Sequence, residues 1–104
     1  MSLTYAGFGW FREEQYSELL DLFQEKNRFP ESYEKWLQKS AEQLKQRTQQ
    51  GMAICKIEVD LPKFQEWCEK LGQTPGEAGL GNFLRTKIVD MFNHQTPDSF
   101  LIFF

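Results

Sequence analysis

A chain of 104 residues with net charge −3, 26% charged and 40% hydrophobic residues, the latter including ten Phe, three Trp and three Tyr, is sized for one domain over residues 1–104 with an aromatic-rich core. At this length about two-thirds of the open-chain surface is buried on folding, so stability requires neither a metal nor a disulfide framework. The composition excludes disordered, collagen-like and linker chains, and the acidic balance argues against a nucleic-acid partner.

Residues 3 to 11 place Leu3, Tyr5 and Phe11 on one side of an extended chain and Phe8 and Trp10 on the other, with Gly7 and Gly9 between; this reads as a short strand. From Glu13 the period changes. Tyr16, Leu19, Leu20 and Phe23 fall at i, i+3, i+4 and i+7, the stripe of an amphipathic helix that should end near Asn27. Pro30 at a first helical position, followed by Glu31, opens the next helix, with Tyr33, Leu37, Ala41, Leu44 and Thr48 as its apolar face and Trp36 at the margin. Gly51 stands where a left-handed cap is expected.

Met52 to Val59 alternates as a half-buried strand with Ala53, Cys55, Ile57 and Val59 on one side. Asp60 caps a helix carrying Leu61, Phe64, Trp67, Cys68 and Leu71, closed by Gly72. Thr74-Pro75-Gly76-Glu77 has capping-box form, but Gly79 and Gly81 weaken a helix start, so the last helix is expected to settle from Asn82, with Phe83, Leu84, Ile88, Met91 and Phe92 buried. The sequence ends in the apolar, β-prone segment 99–104. Together these elements predict an α+β fold: four helices packed on one face of a small two- or three-stranded sheet centred on residues 52 to 59.

Cys55 and Cys68 are too few for a disulfide scaffold and lack zinc-site spacing. No apolar run is long enough for a membrane span, and the start shows no export pattern. Met1 to Leu3 leave open whether the first residues are native. The expectation is a cytoplasmic protein with no membrane partner.

The stretches Trp10 to Tyr16, Ser32 to Leu37, and Lys56 to Asp60 running into Phe64 to Cys68 resemble a group of small, mostly bacterial proteins with no assigned activity, over about residues 10 to 84. Those proteins usually carry an Ala-Arg pair and a Phe-Ala in the last helix, where this chain has Glu77 to Leu84. The resemblance implies no catalytic residue, cofactor or partner.

Several constellations invite chemistry, and each has a plainer reading. Gly76, Gly79 and Gly81 suggest an anion-binding helix start, but their spacing fits no phosphate-loop pattern. Cys68 with His94 and Asp90 or Asp98 suggests an activated thiol, but Cys68 shares a stripe with Phe64, Trp67 and Leu71 and reads as core. Glu58, Asp60, Glu66 and Glu69 form an acidic group that reads as solvated surface. Lys35, Lys39, Lys45 and Arg47 make one basic helix face, too sparse for nucleic acid. No catalytic residue, metal or cofactor is expected.

The terminal run is different. Left in water, Phe100, Leu101, Ile102, Phe103 and Phe104 would each forgo roughly 1.5 to 3 kcal/mol. Two burials are open: the segment returns beside residues 52 to 59, or it adds to a second subunit or another protein. The first is preferred because an unpartnered apolar strand invites aggregation. Phe100 to Phe104 and Trp10 are accordingly the candidate binding residues. The function expected is a non-enzymatic protein-interaction module, with self-association open. The alternative is a small enzyme or ligand-binding protein with a pocket near Trp10, Tyr16 and Trp67.

Overall fold

A computed structural model describes residues 4 to 91 and 100 to 104. The elements in chain order are β1 (Thr4–Trp10), a 3-10 turn (Glu13–Gln15), α1 (Tyr16–Leu22), α2 (Tyr33–Gln49), β2 (Met52–Glu58), α3 (Leu61–Leu71), α4 (Glu77–Met91) and β3 (Phe100–Phe103). The fold is α+β, four helices packed with a three-stranded sheet of order β2-β1-β3 in which both pairings are parallel.

Parallel neighbours require crossovers, and crossovers share one hand. From β1 the chain moves to one side, through α1 and α2, to reach β2; from β2 it passes back across β1, through α3 and α4, to reach β3. One hand with two opposite directions puts the two crossovers on opposite faces. Trp36 of α2 accordingly lies 5.0 Å, centroid to centroid, from Trp10. Gly7 and Gly9, pointing the other way, face Ile88 and Leu84 of α4. The helices therefore cover both faces rather than the single face expected, and the central strand is β1 rather than residues 52 to 59.

The β1 glycines make this sandwich possible. A Cβ on Gly7 would fall 2.5 Å from Ile88 Cδ1, and one on Gly9 would fall 3.0 Å from Leu84 Cδ1 and 3.1 Å from Phe104 Cβ. A side chain at Gly7 would force Ile88 to move its side-chain end, and one at Gly9 would need Leu84 and Phe104 to give by a few tenths of an ångström. Around this contact one apolar cluster runs from Phe11, Leu19 and Phe23 through Leu61 and Phe64 to Leu80, Leu84 and Ile88.

The terminal segment completes the chain's own sheet. β3 pairs with β1, from Tyr5 opposite Phe100 to Phe8 opposite Phe103, not with residues 52 to 59. Phe100, Ile102 and Phe104 pack against the core, whereas Leu101 stays 43% exposed.

Several boundaries differ from expectation for identifiable reasons. The first helix stops at Leu22, because Phe23 turns extended and Gln24 N–H donates to Pro75 O instead of continuing the ladder. α2 is capped by Ser32, whose Oγ accepts from Lys35 N–H, so Pro30 and Glu31 stay outside it. Its buried face is turned by one residue, with Trp36 and Ser40 inward and Leu37 exposed. Gly51 and Gly72 take the expected positive φ, 88° and 66°, and Asp60 Oδ1 caps α3 by accepting from Lys63 N–H. Leu71, expected inside, is exposed. The last helix begins at Glu77 rather than Asn82, because Glu25 Oε1 accepts from Glu77 N–H across 3.1 Å and supplies the cap from α1's side. No helix among the described residues is long and apolar enough to cross a membrane.

Candidate functional site

Parallel sheets bind ligands most often beyond the strand carboxyl ends, where neighbouring connections leave for opposite faces. Here that place lies between the ends of β1 and β2, and Gln15 fills it. Its Nε2 donates to Val59 O at 3.0 Å and its Oε1 accepts from Arg12 N–H at 2.8 Å. Val59 N–H donates to Trp10 O, closing the gap between the two strand ends. The Arg12 guanidinium is held by Glu58 and Glu14 at 3.3 and 3.7 Å.

Two tyrosines line the same region: Tyr16 donates its hydroxyl proton to Pro30 O and Tyr33 donates to Phe11 O. Burial pushes the Tyr16 phenol up to about 12 and the Tyr33 phenol upward, with Glu13 and Glu14 adding to the latter. Both hydroxyls therefore stay protonated at neutral pH and serve as tethers.

The open region is the free side of β3. Among the described residues β3 has β1 as its only strand neighbour, so its other edge pairs with no described strand. Residues of α2 and α4, one helix on each face, line an open cavity of about 570 Å³ beside β3. Ile102, Phe103 and Phe104 form its floor, Gln43 and Arg47 one wall, and Ala78, Gly81, Asn82 and Arg85 the other. A Cβ on Gly81 would meet nothing within 4 Å, so the missing side chain at that position is part of the opening.

Three arginines converge on this groove. The Arg28 guanidinium is spoken for: Nη2 donates to Phe104 O at 2.8 Å, Nε pairs with Glu77 at 3.2 Å, and the group lies 4.8 Å from the Phe104 ring centroid. Arg47 lies 4.4 Å over Phe103 and Arg85 5.5 Å over Phe100. Neither has a carboxylate partner among the described residues. Each guanidinium thus rests one face on an aromatic ring and keeps its donors toward the groove.

Of the residues singled out from sequence, Ile102, Phe103 and Phe104 line the groove, Phe100 supports Arg85, and Leu101 is exposed beside them. Trp10 is elsewhere, packed on Trp36 with Lys56 Nζ 4.2 Å from its ring centroid. Trp10, Tyr16 and Trp67 do not make one pocket: Trp10 and Tyr16 pack with Trp36, whereas Trp67 packs with Phe64 and Phe83 and borders a separate cavity with Lys63 and Lys87. Arg28, Asn82 and Arg85 were not singled out from sequence. Gly81 and Arg47 were, Gly81 with Gly76 and Gly79 as a suggested anion-binding helix start and Arg47 in the basic face of α2.

The remaining constellations dissolve. Cys68 is buried, and burial pushes its thiol upward, the behaviour of an inert core cysteine. His94 and Asp98, its suggested partners, lie outside the described residues. Gly79 packs near Cys68 and the Thr74 carbonyl. Asp60 caps α3, Glu58 pairs with Arg12 and Glu66 with Lys70. No grouping of metal-ligating side chains occurs among the described residues. Comparison of the chain with models of protein families, with curated proteins and with solved structures gives no match.

Proposed function

We propose that this protein is a non-enzymatic interaction module of the cytoplasm that takes up an extended segment of another protein along the free edge of β3. One observation carries the reading: an unpaired strand edge forms the floor of a groove whose two walls are helices from opposite faces of the sheet. An added strand would gain main-chain hydrogen bonds from β3 and side-chain contacts from α2 and α4, the economy of recognition by strand addition. The two free cysteines are in keeping with a reducing compartment.

Hydrogen exchange tests this. On adding a Val/Thr-rich decapeptide, backbone amides of β3 should exchange more slowly, and Gly81→Leu, which fills the groove, should abolish the protection while leaving the unliganded protein folded. Protection confined to β2 or the helices would sink the proposal.

A second reading, small-anion binding, draws on the convergence of Arg28, Arg47 and Arg85 on a cavity of ligand size. Titration with phosphate and citrate, followed by the chemical shifts of the arginine side chains, tests it.

A further inference from the structure

Arg47 and Arg85 are not interchangeable members of a basic patch. Arg47 projects from α2 and rests on Phe103; Arg85 projects from α4 and rests on Phe100. Phe100 and Phe103 stand three residues apart on one strand, so their side chains point to opposite faces, and they are separated by about 10 Å along it. A strand added beside β3 would run about 4.8 Å away. Its side chains opposite Phe100 and Phe103 would likewise point to opposite faces, each toward one guanidinium that has no carboxylate partner among the described residues.

We infer, resting on the strand-addition reading above, that the partner segment is acidic, with two carboxylate side chains at positions i and i+3 of an extended run. The spacing follows from the alternation of a strand: i and i+3 face opposite ways, as Arg85 and Arg47 do, whereas i and i+2 or i+4 face the same wall. Arg28 is already neutralised by Glu77 and sets the end of the groove rather than a third charge requirement. A single phosphate-sized anion does not bridge two guanidinium groups on opposite walls and three strand residues apart, which favours a segment over a small ion. A second copy of this chain is disfavoured as well. Its own β3 is Phe100 to Phe103, without a single acid, and pairing two such edges would bring arginines against arginines.

The test is fluorescence anisotropy with labelled Val/Thr-rich decapeptides carrying Glu at their fourth and seventh positions, compared with Gln or Lys at both and with Glu at the fourth and eighth. The i, i+3 Glu peptide should bind about tenfold more tightly than the Gln peptide, the i, i+4 peptide should lose most of that gain, and the Lys peptide should bind weakest. In the double variant Arg47→Gln with Arg85→Gln, Glu and Gln peptides should bind equally. In the double variant Arg47→Glu with Arg85→Glu, the Lys peptide should become the preferred one. Equal binding of Glu and Gln peptides to the unaltered protein, with β3 amides still protected, overturns the acidic partner and leaves strand addition standing. Failure of every peptide overturns both. Phosphate or citrate binding governed by the two arginines, without peptide binding, overturns both in favour of a small anion. Dimerisation abolished by Gly81→Leu overturns them in favour of a second copy.

Discussion

The carboxyl end of β1 and β2 and the free edge of β3 are both polar regions at the border of one core, and they are finished in opposite ways. At the first, Gln15 satisfies a carbonyl just past the end of β2 and an amide just past the end of β1, and Arg12 is held by two glutamates. At the second, Arg47 and Arg85 rest on phenylalanine rings with no carboxylate partner among the described residues. Polar groups matched within the chain explain themselves as structure. Polar groups held in place by apolar contacts, with no carboxylate partner among the described residues, are what the proposed strand addition would draw on.

The contrast can be broken most forcefully through the aromatic residues beneath each region. Phe11→Ala, at the filled end and fully buried, should cost about 3 to 5 kcal/mol. Phe103→Ala, half-buried in the groove floor, should cost less than half of that in chemical denaturation. Equal losses would mean that the groove floor is ordinary core.

Alkaline pH probes the filled end next. Tyr16 has a folded pKa of about 12 against an ordinary 10 because of burial, so the unfolded chain loses this proton first. Its contribution is fully present below pH 10 and is lost as pH rises from 10 to about 12. Tyr16→Phe should flatten most of the fall in thermal stability over that window, and peptide binding at neutral pH should not change.

Gln15→Leu comes third. It keeps the volume but strands the Val59 carbonyl and the Arg12 amide, at a cost of about 1 to 3 kcal/mol, again with groove binding intact.

Gly81→Ala runs in the opposite direction. It adds a methyl group in open space and removes glycine from a helix, which should raise stability by up to about 1 kcal/mol. The same change narrows the groove, so stability and peptide affinity should move apart, as measured by melting and anisotropy on one preparation.

The smallest effect on stability is expected for Arg12→Gln and Arg85→Gln, each below about 0.5 kcal/mol because both are exposed. Only the second should weaken binding of the acidic peptide. A loss with Arg12→Gln would erase the distinction between the two regions.

How far each region could be read in advance differs for the same reason. The caps at Asp60, Gly51 and Gly72 are local, decided within a few residues, and the structure has them as expected; β2 forms as a strand, but its burial alternates only from Lys56 to Glu58. The need of Phe100 to Phe104 for burial was also readable, because apolar area states its requirement without naming a neighbour. The start of α4 was not: its cap comes from Glu25, 52 residues away, so glycine-weakened propensity was the wrong guide. Nor was the inward face of α2, where the packing of Trp36 on Trp10 and Phe11 turned the helix by one residue relative to its hydrophobic pattern. Arg28 lies in the connection between α1 and α2, Arg47 in α2 and Arg85 in α4, and they share no spacing, so nothing along the chain marks them as a set.

Composition, period and capping thus settle which elements exist, that they form an α+β fold, and that the last five residues belong inside something. Tertiary structure alone decides that this something is the edge of β1, that the helices divide between two faces, and that two arginines come to lie over phenylalanine rings. The division has a physical cause. Propensity and hydrophobic burial depend on a residue and its near neighbours, whereas strand order and the hand of the crossovers are properties of the whole path, and the groove exists only because helices from the two crossovers, on opposite faces, both contribute residues beside β3.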